Sequence, residues 1–200
     1  MMLVLRSSPP SPFGRKVKIA AHALDLIDRI EIVRTDTTNP DDPIRALNPL
    51  GKIPALELDD GTVLFDSRVI VEYLDWLAGG GTVIPAEPRE RFASLRLQAL
   101  ADGLTEAALL QVYEARLRPE DQRSDRWLEL QSGKVTRALA ALEAAPPPVD
   151  IRVGQIATAC ALGYLDLRFE GRWRDGHPKL VAWLDAFRDA TPAYDKTAAH

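Results

Sequence analysis

The chain has 200 residues, 46% of them apolar, enough to bury a sizeable core in one large domain or two small ones. Lys and Arg number 25 against 29 Asp and Glu, and the split is even: 9 against 12 in residues 1–80, 16 against 17 thereafter. No part is basic enough for a phosphate-backbone binder, and a single cysteine, Cys160, rules out an internal disulfide and any cysteine-rich zinc site.

Met2 to Arg6 has the apolar content of a short buried strand. Pro12 to Leu24 then places Phe13, Val17, Ala20, Ala21 and Leu24 at three-and-four spacing, which predicts a helix with one buried face. Arg29 to Arg34 alternates charged and β-branched residues, a second strand. Asp41 to Leu47 reads as a short helix ended by Asn48-Pro49 and Gly51. Ile53 to Leu58 and Thr62 to Phe65 are two short strands around the turn Asp59-Asp60-Gly61, and Ser67 to Leu77 is another amphipathic helix.

Residues 1–78 therefore read βαβ, an irregular segment, then ββα. Gly79-Gly80-Gly81, Pro85 and Pro88 mark a linker over 79–88, and the glycine run reads as a hinge, since neither a helix start nor Lys-Ser/Thr follows it. Strand signals then stop. Helices are predicted over Arg89–Leu117, Ser124–Ala144, Gln155–Phe169 and Pro178–Asp189, so residues 89–200 form an all-helical second domain. No segment approaches the roughly 20 apolar residues needed to cross a bilayer, and the opening run is too short for a signal-peptide core. A reducing, cytoplasmic setting is expected, with neither nucleic acid nor membrane as partner.

Three features carry chemistry. In Ser7-Ser8-Pro9-Pro10-Ser11-Pro12-Phe13, serine suits the N-cap and proline the first helical turn, so Ser11 either caps the helix or sits where its dipole favours an anion such as a thiolate. In Asn48-Pro49-Leu50-Gly51-Lys52-Ile53-Pro54, a proline at a strand start cannot join the ladder. Were its bond cis, the N–H and C=O of Ile53 would be left for an extended ligand. Asp66-Ser67, at a strand-to-helix junction, can cap a helix or hold the charged ends of an amino acid.

In this order, followed by a linker and a helical domain, these segments resemble the glutathione transferase superfamily along essentially the whole chain. The resemblance is to a bacterial subgroup with Ser-Pro-Phe-x-Arg-Lys at the first helix, and Ala99 to Gly103 and Ala159 to Leu165 share it. It implies an α/β thioredoxin-like N-terminal domain with a mixed sheet, followed by an all-α domain that shapes the co-substrate pocket. By the same resemblance Ser11 would donate to the thiolate of glutathione, Phe13 would lie against the site, Ile53 before a cis Pro54 would pair with the cysteinyl backbone, and Lys52 would flank it. Asp66 and Ser67 would hold the γ-glutamyl end, and Asp102 would either reach that group in a neighbouring subunit, which implies a homodimer, or be a helix-surface aspartate. By position alone, farther along the same helix, Tyr113 and Arg116 could line the pocket of the co-substrate, a small apolar electrophile. Glutathione is then a co-substrate, and neither a cofactor nor a metal is expected.

Two departures stand out. The tyrosine that many relatives carry two residues before Ser11 is replaced by Pro9, which leaves serine-assisted conjugation or glutathione-dependent peroxide reduction. The Ser/Thr and Asp that lock the start of the buried helix are matched to Gln155 and Thr158, a weaker cap. Pro9 also keeps open a non-catalytic binding protein similar to the stringent starvation proteins. An isomerase of the maleyl-acid type is less well matched, because its run of serines and cysteine is met only by Ser7-Ser8 and Ser11. Cys160, in the apolar run Ile156 to Leu165, is expected to be a buried structural thiol, the four tryptophans core or interface residues, and His22, His177 and His200 are assigned no role.

Overall fold

The structure is a computed structural model, and it describes residues 2–199. Strand β1 (Leu3–Ser7) points Leu3, Leu5 and Ser7 into the interior. It pairs in parallel with β2 (Ile30–Arg34), Leu3 opposite Ile30, and helix α1 (Pro12–Ala23) supplies the crossover a parallel pair requires. On its other side β1 runs antiparallel to β3 (Ala55–Glu57), which forms a hairpin with β4 (Val63–Leu64). The sheet order is β2-β1-β3-β4. Between β2 and β3 a four-residue helix, α2 (Ile44–Leu47), is shorter than the predicted Asp41–Leu47, because Pro43 initiates it.

Helix α3 (Ser67–Leu77) packs beside α1, and its buried face, Ile70, Val71 and Leu74, joins the core under the sheet. Four longer helices follow: α4 (Pro88–Leu117), α5 (Asp125–Ala144), α6 (Val153–Phe169) and α7 (Pro178–Ala190). A short α8 (Ala193–Lys196) ends the chain and was not legible in its sequence. The middle of α6 is buried on every side, between α4 and α1, as a helix apolar all round must be. Its start lies two residues before the predicted Gln155, with Arg152 at the N-cap and no side-chain capping bond. The expected lock is therefore shifted: Gln155 lies inside the first turn, and the Thr158 hydroxyl donates back to the Gly154 carbonyl at 2.8 Å.

Between α3 and α4 the glycine run does not behave as a free hinge. Asp75, on α3 and 4% exposed, accepts the backbone N–H groups of Gly81 (2.9 Å), Thr82 (3.1 Å) and Val83 (2.7 Å). Val83 and Ile84 are buried in the core, and the Val83 carbonyl accepts the N–H of Val153 at the start of α6. Among the described residues no helix is long and apolar enough to cross a membrane, and no group of His, Cys, Asp and Glu is arranged to hold a metal. His200 lies outside the described residues.

Candidate functional site

Helix α1 packs against α3 and α6 with Gly14 seated close to Ser7 of β1, and its N-terminus opens into a cleft of about 440 Å³ that residues of the N-terminal loops and of helices α4 and α6 line. Ser11 is the N-cap, and its Oγ accepts the N–H of Gly14 at 3.1 Å. Capping uses an oxygen lone pair and leaves the O–H free to donate, so the two roles open to Ser11 are compatible. Ser11 and Phe13 both line the cleft.

Opposite them, the segment before β3 is shaped by Asn48, 2% exposed. Its Nδ2 donates to the Lys52 carbonyl at 2.9 Å and its Oδ1 accepts the Leu50 N–H at 3.0 Å. The loop thus presents Lys52, Ile53 and Pro54 to the cleft, and the Ile53–Pro54 bond is cis. Neither the N–H nor the C=O of Ile53 has a backbone partner among the described residues. Strand β3 begins only after Pro54, later than predicted, because proline lacks the N–H the ladder needs.

The third wall is the start of α3. Asp66 is its N-cap, following a cis Phe65–Asp66 bond, and its Oδ1 accepts the Arg68 N–H at 2.9 Å and the Ser67 hydroxyl at 3.0 Å. Burial alone would raise the Asp66 carboxyl, but these two donors and the nearby charges of Lys16 and Arg68 outweigh it, so the group lies below its ordinary value and is ionised at neutral pH. Helix α4 adds Glu106, Leu109, Leu110, Tyr113 and Arg116, and α6 adds Tyr164 and Arg168. One cleft therefore gathers a hydroxyl at a helix N-terminus, an unpaired extended backbone, an ionised carboxylate and an apolar wall with basic groups.

Comparison with known proteins agrees with this geometry. Residues 10–77 match the family model described as glutathione S-transferase, N-terminal domain. The uncharacterized GST-like protein YibF of Escherichia coli K12 is 34% identical over 187 residues, 90% of this chain and 91% of that protein. The chain belongs to the glutathione S-transferase superfamily. Among solved structures, a glutathione transferase family member from Pseudomonas fluorescens Pf-5 with bound glutathione superposes with a TM-score of 0.93, at 40% identity over 99% of both chains. A glutathione S-transferase from Methylobacillus flagellatus KT, also with glutathione bound, gives 0.92 at 35% identity over 99% of this chain and all of that one.

In this glutathione S-transferase superfamily member, Asp102 is engaged inside its own chain. It does not line the cleft but is 3% exposed behind it, with both oxygens taken up inside its own chain. Lys16 Nζ lies at 2.8 and 2.9 Å from them and Arg68 Nε at 2.8 Å. A buried ammonium on α1 demands a counter-charge, and Asp102 supplies it. Tyr113 and Arg116 do reach the cleft, together with Tyr164 and Arg168, which the sequence reading missed. Spacings of three on α4 and four on α6 put each pair on one helix face, a signal that was there to be used.

Behind the Pro9–Pro12 segment lies a second cavity of about 370 Å³, lined by Arg15, Tyr194 and Cys160. Cys160 is 3% exposed, and burial pushes its thiol up to about 11. It is a structural thiol and no nucleophile at neutral pH. Trp173 and Trp183 are core residues, whereas Trp76 and Trp127 stand at the surface.

Proposed function

We propose that the cleft binds glutathione and activates its thiol for attack on an electrophile, by conjugation or by glutathione-dependent peroxide reduction. The observation that carries this reading is the convergence of Ser11, the unpaired Ile53 backbone and the Asp66-Ser67 cap on one cleft. Asp66 and Ser67 grip the γ-glutamyl end, Ile53 pairs with the cysteinyl backbone, Lys52 meets a terminal carboxylate, and Ser11 donates to the sulfur. A free thiol has a pKa of about 8.5, so little is thiolate at neutrality. The Ser11 O–H and the dipole of α1 stabilise the anion, the thiol proton passes to solvent, and sulfur bonds to carbon as the leaving group departs with its electron pair.

Purified protein should bind glutathione by calorimetry and conjugate 1-chloro-2,4-dinitrobenzene, releasing chloride. Ser11→Ala should lower kcat/KM at least about tenfold, roughly 1.4 kcal/mol of transition-state stabilisation, with Ser11→Thr keeping most of the rate. Unchanged turnover in Ser11→Ala would exclude the catalytic assignment. A chain that binds no glutathione would instead favour the non-catalytic reading.

We further propose a homodimer. Val69 and Trp76 on α3 and Phe92 and Leu100 on α4 are large apolar side chains left in solvent, Trp76 and Phe92 each 69% exposed. The two helices are bridged by ion pairs of Arg91 with Glu72 and of Arg68 with Asp102, so together they offer a continuous face to a second copy. Sedimentation should give twice the 22.1 kDa of the chain. A monomer at micromolar concentration would refute the interface.

A further inference from the structure

Charged groups in the cleft fall into two sets. Near the start of α3, Asp66 uses its Oδ1 in the α3 cap and Glu106 faces Arg68 at 3.7 Å, while Lys52 flanks the Ile53 loop. At the other end, α4 and α6 contribute Tyr113, Arg116, Tyr164 and Arg168 over an apolar wall of Leu109 and Leu110. That end holds two guanidinium groups and no carboxylate for either. Among the described residues neither Arg116 nor Arg168 forms an ion pair, while the acidic residues on the same two helices are taken up elsewhere: Glu114 by Arg118 and Asp166 by Arg174.

Arg168 is the more telling of the two. Its Nε is buried from solvent yet has no hydrogen-bond partner, and its guanidinium lies 5.9 Å from the centre of the Tyr164 ring. Arg168 is half-buried, and a buried N–H of a cation left without an acceptor is costly, so this Nε points to an acceptor that arrives with a ligand. Tyr164 is 4% exposed, and burial holds its phenol above the ordinary value despite the charge of Arg168 and a hydrogen bond from it, so at neutral pH its oxygen is a neutral acceptor that does not neutralise the guanidinium. A planar guanidinium fork matches the two oxygens of a carboxylate, and the apolar wall suits a short carbon skeleton.

We propose that the α4–α6 end of the cleft is a carboxylate subsite, in which Arg168 and Arg116 hold the anionic group of a small electrophile while its reactive carbon faces the glutathione sulfur. The inference rests on the transferase reading above and narrows the co-substrate from an apolar electrophile to one bearing a carboxylate. The chemical step needs no further reactant: the C–S bond forms, the leaving group takes its bonding pair, and the carboxylate stays ionised throughout.

Two product-like ligands that differ only in the anionic group provide the test. Calorimetry on the full chain should find S-(4-carboxybenzyl)glutathione bound at least about tenfold more tightly than S-(4-methylbenzyl)glutathione, near 1.4 kcal/mol, with glutathione measured as reference. In Arg168→Gln the two affinities should draw to within about threefold, and Arg116→Gln, at an exposed position that the fold does not depend on, should narrow the gap on its own. Equal binding of the two conjugates by the unaltered protein would overturn the subsite and leave the transferase reading standing. Failure of all three ligands to bind would overturn both. Should Arg168→Gln weaken glutathione as much as the carboxybenzyl conjugate, the guanidinium serves the tripeptide, and the subsite is refuted.

Discussion

Asp102→Ala should destabilise the protein by about 3–5 kcal/mol, the cost of stranding a charge that the fold has sealed from water. The Lys16 side chain is 1% exposed and that of Asp102 4%, and their paired atoms are 2.8 and 2.9 Å apart. Removing the carboxylate leaves the ammonium with no directly paired counter-ion and no solvent, since Asp66 is nearby but spends its Oδ1 on the α3 cap. Arg68, half-exposed, turns to water at little cost, so the penalty belongs to Lys16. Urea titration of Asp102→Ala should show the midpoint falling with the slope unchanged. The double variant Lys16→Met, Asp102→Leu should recover most of the loss, because apolar replacements of a buried pair are often neutral. A loss below about 1 kcal/mol in the single variant would show that Lys16 can reach solvent from its present position.

Gly14→Ala should also destabilise, by about 3 kcal/mol, although the same exchange in an unobstructed helix stabilises by up to about 1 kcal/mol. A Cβ on Gly14 would stand 2.1 Å from Ser7 Oγ, and Ser7 ends β1 at 1% exposure, so neither partner can move aside cheaply. Glycine here lets the first turn of α1 sit directly on the strand, and that close seat aims the Ser11 end into the cleft. Ser7 Oγ is itself buried without a hydrogen-bond partner, so Ser7→Ala alone should be close to neutral. In that background Gly14→Ala should lose less than half as much, since the colliding oxygen is gone. Thermal unfolding of the four proteins forms a double-mutant cycle. A stabilised Gly14→Ala would mean the strand yields easily.

The sequence reads well where local rules act alone. Helix α3 was predicted to the residue, because Asp66 caps it and its apolar spacing has no competitor. It reads poorly where a bond depends on distant residues. The β3 boundary shifted when Pro54 proved to belong to the loop, and the start of α6 moved to Val153 because capping there leaves no side-chain signature. Within the site, the motifs at residues 11–13, 52–54 and 66–67 were legible since each carries its own turn chemistry. Lys16, Arg68 and Asp102 were not legible as a unit: Lys16 and Asp102 lie 86 positions apart, and nothing local marks a lysine that will be buried. Tyr164 and Arg168 were missed for a different reason, as their spacing of four was read only as part of a helix with an apolar core.

Gly79, Gly80 and Gly81 all have φ between +79° and +104°, a range that side-chain-bearing residues rarely adopt. Three consecutive glycines turned this way bring the amides of Gly81, Thr82 and Val83 to the single carboxylate of Asp75. Protein engineers usually choose a glycine-rich junction as the place to splice in a tag, lengthen a tether or circularly permute a chain. In this molecule that choice would be a poor one, because the junction is a clasp whose every residue has a prescribed shape. Loops such as Asp59-Asp60-Gly61 would accept foreign sequence far more readily.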